Sequence, residues 1–239
     1  MRCKIADIVT EVPAAGGLAA RCKAYLWNDA GEPEITISEE KYRRERYGSH
    51  FGEDSVAYME AAYQFCLELV KFSGFYLHAS CVVLDGKAYL FSGPSRTGKS
   101  THTQLWQQVF GSGAVVINDD KPALRRIDGV WYAYGTPWCG KDGINSNERA
   151  RVAGVCFLKQ APENRIRRLT TFEALQKMLS QTIRKFDSAD GLDRMLGNLD
   201  LFLREIPIYE LENRPEPAAA RLSYETMLHG WREVSCETE

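Results

Sequence analysis

The sequence predicts an α/β fold, a central mixed β-sheet flanked by helices around a phosphate-binding loop, preceded by a small β-rich element. Three observations carry that expectation. Residues 93–100 read Gly93-Pro-Ser-Arg-Thr-Gly-Lys-Ser100, which matches G-x-x-x-x-G-K-[ST]. Residues 87–92 before the motif alternate as a strand, and residues 101–110 after it carry Leu105, Trp106, Val109 and Phe110 at helical spacing. From residue 53 onward, strand-like and helix-like segments interleave. Residues 1–50 form the expected N-terminal element and residues 51–239 the expected loop-containing domain.

Composition sets outer bounds. A chain of 239 residues can bury one sizeable core, with or without a small appendage. A net charge of −2 gives no bulk attraction to nucleic acid or to an anionic membrane surface. No segment approaches the roughly 20 uninterrupted apolar residues of a membrane span, and the first residues lack the apolar core of a signal peptide. The seven cysteines are odd in number, scattered and free of C-x-x-C spacing. That pattern suits reduced thiols and a cytoplasmic location, not a disulfide framework or a zinc site.

The elements follow in order. Residues 4–12 and 21–27 alternate loosely as strands around a turn at Pro13 and Gly16-Gly17, and residues 35–37 suit a third. Residues 39–46 are densely charged with mixed sign, as in a solvated helix or loop; the other reading is a basic patch for an acidic substrate. Residues 53–72 have helical period, with acids in the first turn and Ser73-Gly74 as the stop. Residues 75–84 read as one apolar strand, turned by Asp85-Gly86 into the strand that feeds the loop. Residues 114–120 form a buried strand ending in Asp119 and Asp120. Residues 123–127 and 130–134 make a hairpin around Asp128-Gly129. A glycine-rich loop over 135–143 leads to a buried strand over 152–158.

The last third reads as mainly helical. Thr170 with Glu173 fits a capping box, ahead of a face of Phe172, Leu175, Leu179, Ile183 and Phe186. Leu192, Leu196, Leu199 and Leu203 make a second core stripe. Residues 206–211 suit a final strand, started by Pro207, and residues 218–231 a closing helix.

The chemistry centres on the loop. Gly93 and Gly98 allow backbone angles that let loop amides face an anion at the positive end of the following helix. Residues Gly93, Pro94, Ser95, Arg96, Thr97, Gly98, Lys99, Ser100 and Thr101 are therefore the expected nucleotide-binding set. Lys99 would reach the β- and γ-phosphates and the Ser100 hydroxyl would hold Mg²⁺. A second site for the metal needs an acid at the end of a neighbouring strand, which Asp119 and Asp120 supply. Successive side chains on extended backbone point in opposite directions, so one can face the metal and the other the acceptor or the sheet. The plainer alternative is a capped turn before Pro122.

His78-Ala-Ser-Cys81, a hairpin, Gly93-Pro-Ser-x-x-Gly-Lys-Ser100 and then Asn118-Asp-Asp120 resemble, in order and spacing, the HPr kinase/phosphorylase family of the phosphoenolpyruvate-carboxykinase-like P-loop proteins. The resemblance is strongest over residues 75–122, extends toward residue 230 and leaves the first 50 residues uncovered. It implies ATP- and Mg²⁺-dependent transfer of a phosphoryl group to a hydroxyl, in that family a serine of a carrier protein. Carried over, Lys99 would hold the phosphates, Asp119 would be the general base, Asp120 a metal ligand with Ser100, and His78 a neighbour of the base. His78 read alone is a structural histidine in an apolar strand.

The family's Glu-x-Arg-Gly signature is not visible after the acidic pair; Gly135-Thr-Pro-Trp-Cys-Gly-Lys-Asp-Gly143 stands in its region. Lys141 and Asp142 there serve either as a cationic clamp and second metal ligand or as a solvated turn pair. Arg149 reads as a phosphate contact or as a surface arginine. The aromatic residues Trp131, Tyr132, Tyr134 and Trp138 suit packing or a pocket wall. The expectation is thus a kinase acting on a peptide, protein or small molecule bearing a hydroxyl, with no nucleic acid and no membrane partner, and with homo-oligomers as in the family. The alternatives are a carboxykinase-like enzyme of a small oxo-acid and a non-catalytic nucleotide switch.

Overall fold

The structure, a computed structural model, describes residues 1–14, 16–29, 31–183 and 185–236. The chain opens on a hairpin: β1 (Arg2–Ile5) and β2 (Ile8–Glu11) pair antiparallel, and β3 (Ile35–Thr36) joins β2 in parallel. The single strand expected over 4–12 is broken because Ala6 and Asp7 both take positive φ, 52° and 60°, and reverse the chain. The strand expected over 21–27 is absent. α1 (Gly16–Arg21) and a 3₁₀ turn over Lys23–Tyr25 stand there, and Leu26 keeps only a bridge to Cys3. The buried residues Leu18, Cys22 and Tyr25 explain this, since spacings of four and three belong to a helix. Residues 39–46 form two exposed 3₁₀ turns.

α2 (Glu53–Leu69) runs into a 3₁₀ turn and stops at Ser73, which is left-handed at φ 54°. Its Phe65 and Leu69 pack with Ile5, Ile8, Tyr25 and Ile35 of the N-terminal element and with Trp138.

The large sheet comprises β4 (Gly74–Tyr76), β5 (Ala79–Leu84), β6 (Lys87–Ser92), β7 (Val115–Asn118), β8 (Ala123–Ile127), β9 (Val130–Tyr134), β10 (Arg149–Gln160), β11 (Arg165–Arg168) and β12 (Ile208–Asn213). Its helices are α3 (Lys99–Phe110), α4 (Thr171–Ser180), α5 (Ala189–Glu205) and α6 (Pro217–Cys236). The order is β4-β8-β9-β10-β6-β5-β7, and β12 joins β10 with β11 outside it. β10 forks the sheet: residues 149–151 pair with β9, residues 155–160 pair with β12, and the opposite edge carries β6.

Alternation on the strands splits the core in two. Leu90, Ile117 and Phe157 face α4 and α5, where Met178, Leu199 and Phe202 meet them. Tyr89, Phe91 and Cys156 face α3 and α6, against Trp106 and Met227. The six cysteines at 3, 22, 66, 81, 139 and 156 are free and buried. Among the described residues no helix is long and apolar enough to cross a membrane.

Three other expectations are corrected. The strand over 75–84 is two strands, because Leu77 and His78 leave the ladder and donate their amides to Pro122 O and Gln181 O. The helix after Thr170 keeps its capping box but ends at Ser180, burying Ala174 and Met178, while Phe172 is 68% exposed. On α5 the buried face is Met195, Leu199 and Phe202, and Leu192 and Leu196 face outward. Both sets have helical spacing; what separates them is the side of α5 that meets the core beside Phe75 and Trp131, which takes Met195 and Phe202 with Leu199. β11 interrupts the region read from sequence as mainly helical. Its run Arg165-Ile-Arg-Arg168 lacks apolar alternation and suits the charged edge strand it forms beside β12.

Candidate functional site

Topology brings the motifs together. β5 is antiparallel to both β6 and β7, so β6 and β7 run the same way and end on the same edge. Ala79, at the start of β5, pairs with Ser92 at the end of β6, and Cys81 pairs with Asn118 at the end of β7. The loop over residues 93–100 leaves β6, the acidic pair leaves β7 and His78 precedes β5, all at that edge.

The loop wraps the start of α3. Gly93 and Gly98 have φ of 145° and 98°, and Arg96 sits at 69°. A Cβ on Gly93 would lie 2.9 Å from Thr97 Oγ1 and 3.3 Å from Leu158 O, so the glycine is needed for space as well as for angle. Thr97 donates its amide to Pro94 O and its hydroxyl to the same carbonyl, which closes the turn. Lys99 folds back, its Nζ 3.0 Å from Gly93 O and 3.3 Å from Pro94 O. Burial lowers the Lys99 pKa, against the pull of Asp120 and Asp119.

The two acids have different surroundings. Asp119 Oδ2 accepts from Ser100 Oγ at 2.9 Å, and Oδ1 accepts from buried Ser80, whose hydroxyl also lies 3.2 Å from Thr103 Oγ1. Asp120 instead faces His78 Nε2, 3.2 Å from Oδ1, and pairs with Lys121 through Oδ2. Gln181 Oε1 lies 3.0 Å from His78 Nδ1, so contacts at both ring nitrogens fix the ring plane. Burial works to raise the Asp120 pKa, but His78 and Lys121 outweigh it and hold it at about 2. Asn118 locks the pair in place. Its Oδ1 accepts the amides of Asp120 and Lys121, and its amide nitrogen donates to Thr136 O.

Two cavities flank this centre. One, of about 330 Å³, lies beside Gly98, Thr101 and His102 and is closed by Gln160, Asn213 and Arg214. The other, of about 380 Å³, lies on the far side of the acids, between Asp120, Lys121, Gly140 and Lys141 and the N-terminal Arg21 and Tyr58.

The expected residues divide accordingly. Lys99, Ser100, Asp119, Asp120 and His78 meet in one cluster, with Gly93 to Thr101 around them. Lys141 lines the second cavity, whereas Asp142 is an exposed turn residue. Arg149 is elsewhere, bonded to Asp7 Oδ2 at 2.5 Å and stacked over Tyr132. Trp131 and Trp138 are buried in the core. Sequence reasoning did not assign roles to Ser80, Lys121, Arg21, Tyr58, Gln160, Asn213 or Arg214. Ser80 and Lys121 were signalled by adjacency, within His78-Ala-Ser-Cys81 and after Asp120. The others come from segments that carry no motif.

No family model matches the chain, and no curated protein matches it. Among solved structures, the Hpr(Ser) kinase/phosphatase from Coxiella burnetii is similar at a TM-score of 0.36 and 15% identity, over 66% of this chain and 90% of that one.

Proposed function

We propose that this chain is a nucleoside-triphosphate-dependent phosphotransferase that moves a γ-phosphoryl group to a hydroxyl, with ATP as donor and Mg²⁺ as cofactor. The observation that carries the reading is the separation of the two acids: Asp119 bonded to the loop hydroxyl of Ser100, Asp120 turned to His78 and the second cavity. Ser100 and Asp119 are hard oxygen donors side by side. That set suits Mg²⁺, which takes few protein ligands and keeps phosphate oxygens and waters for the rest. When bound, the ion would neutralise charge on the β- and γ-phosphates.

The chain's own groups account for the remaining roles. Loop amides and Lys99 hold the phosphates, and the cavity by Asn213 and Arg214 takes the nucleoside end. An acceptor hydroxyl in the second cavity gives its proton to Asp120 while its oxygen bonds to the γ-phosphorus. The bond from that phosphorus to the β–γ bridging oxygen breaks, and nucleoside diphosphate leaves with the electron pair. In a loose transition state the hydroxyl proton is lost late, so a carboxylate of low pKa can accept it. His78 and Lys121 orient that carboxylate. This assigns the metal to Asp119 and the base to Asp120, the reverse of the roles that the family resemblance implies.

The test pairs nucleotide binding with transfer of label from γ-labelled ATP to a panel of hydroxyl acceptors. Lys99→Ala should weaken Mg·ATP binding at least about tenfold, since it removes the phosphate-reaching cation. Asp120→Asn should keep affinity within about twofold and lose on the order of 10²–10⁴ in transfer, the usual worth of a positioned base. Asp119→Asn should shift the Mg²⁺ requirement upward. Full transfer by Asp120→Asn, with Asp119→Asn inactive while the Mg²⁺ dependence of its nucleotide binding is unchanged, would favour the assignment that the family resemblance implies.

A further inference from the structure

The second cavity is built partly from the N-terminal element, and its cations are unequal in what they already do. Lys121 is neutralised by Asp120. Arg21, at the end of α1, is held without a carboxylate. Its Nη1 lies 3.1 Å from Cys139 O, 3.2 Å from Gly140 O and 3.2 Å from Tyr58 Oη, and the guanidinium stacks over the Tyr58 ring at 4.8 Å. Among the described residues its Nε and Nη2 make no hydrogen bond, and neither Arg21 nor Lys141 takes part in an ion pair. Tyr58 is itself fixed, donating to Cys139 O at 2.9 Å and accepting the Cys139 amide at 2.7 Å. The result is a pre-oriented guanidinium with an open edge, beside a second free cation and in the same cavity as Asp120. Asp54, at the start of α2, is the only other acid in the wall among the described residues.

We propose that the phosphoryl acceptor carries an oxyanion next to its hydroxyl, and that the open edge of Arg21, assisted by Lys141, binds that oxyanion so that the hydroxyl faces Asp120. This rests on the phosphotransferase reading above and names its substrate class. A planar guanidinium matches a carboxylate or phosphate through two parallel hydrogen bonds, which sets orientation as well as affinity. The cavity volume, about 380 Å³, fits a small hydroxy acid or the terminus of a chain. A free hydroxy acid, a peptide C-terminus and a phosphate monoester all offer the same chemistry, and separate arms distinguish them.

The probes are L-serine, the tripeptide Gly-Gly-Ser, its C-terminal amide, and glycerol 3-phosphate. Each is titrated calorimetrically into the full chain with Mg²⁺ and a non-hydrolysable ATP analogue, and each is also offered as acceptor with γ-labelled ATP. At least one anionic probe should bind at least about tenfold tighter than the amide, the worth of one charge-assisted bidentate contact. Arg21→Met should erase that preference, and Lys141→Gln should reduce it, while the affinity for the ATP analogue stays unchanged. Equal binding of acid and amide, no binding of any anionic probe at 10 mM (roughly the weakest affinity of interest), or a preference that survives Arg21→Met would each overturn the proposal. Binding of the ATP analogue is read separately in the same chain, so its loss in wild type would count against the phosphotransferase reading instead.

Discussion

Ser80 is the support on which Asp119 depends, and its removal has a calculable cost. The residue is fully buried, and its hydroxyl donates to Asp119 while sitting against Thr103. Ser80→Ala leaves a carboxylate oxygen without that donor in a site where water has little access. A hydrogen bond to a charged group is worth about 1.5–3 kcal/mol. For a chain of this size each kcal/mol moves the melting temperature by roughly 2–4 °C, so the expected fall is about 3–12 °C. Mg·ATP affinity should drop several-fold in the same variant, because Asp119 would no longer be held toward Ser100. Calorimetric melting with and without Mg·ATP reads both effects. Thr103→Val keeps the donor to Asp119 and should cost less than half as much. A melting shift under about 1 °C (below the range just derived) with unchanged nucleotide affinity would refute the claim that Ser80 holds Asp119.

Further outcomes follow from the same geometry. Asp120 has a depressed folded pKa, so its ionised form stabilises the fold above the unfolded value of 3.8, and that contribution is lost as pH falls through about 2. Urea unfolding of wild type and Asp120→Asn should therefore converge by about 2 kcal/mol between pH 5 and pH 2; a gap that widens toward acid contradicts the sign. At Gly135 a Cβ would lie 1.9 Å from Ser146 O and 2.6 Å from Ile117 O, both backbone atoms. Gly135→Ala should destabilise by about 1–3 kcal/mol by urea titration, and a neutral result would show that the loop after β9 yields freely. Leu199→Ala should cost about 2–5 kcal/mol, whereas Leu196→Ala, at an exposed position, should stay within about 0.5 kcal/mol. Equal losses at the two positions would reinstate the all-leucine stripe.

Much of this arrangement was legible in local sequence, for identifiable reasons. The glycine turn from Gly93 to Gly98, the two Asp-Gly hairpins, the capping box at Thr170 and the start of α2 are all encoded within a few residues. Their determinants are backbone angle and short-range hydrogen bonding. The failures share a different cause. Residues 75–84 look uniform because both β4 and β5 are buried, and nothing local marks Leu77 and His78 as the point where the strand changes partners. A stripe of leucines alone points to the wrong face of α5, because Met195 and Phe202 complete the buried one. The orientation of Asp119 and Asp120 was open for a similar reason. Alternation says that adjacent carboxylates diverge, but which one meets Ser100 depends on β5 bringing Ser80 and His78 between the two strands. Arg21 lay beyond reach altogether, because its contacts with Cys139 and Gly140 span more than a hundred residues.

The fork at β10 also bears on synthesis. β6, which leads into the glycine loop at Gly93, finds one neighbour at once in β5 but waits for residues 151–157 to obtain the other. Until those residues have left the ribosome, one whole edge of an apolar strand stays open, and nascent chains stopped short of β10 would present it to one another. Such an edge is a template for intermolecular pairing. Chains truncated near residue 145 should thus collect in insoluble material, and β10 serves the growing polypeptide as the seal that takes this surface out of circulation.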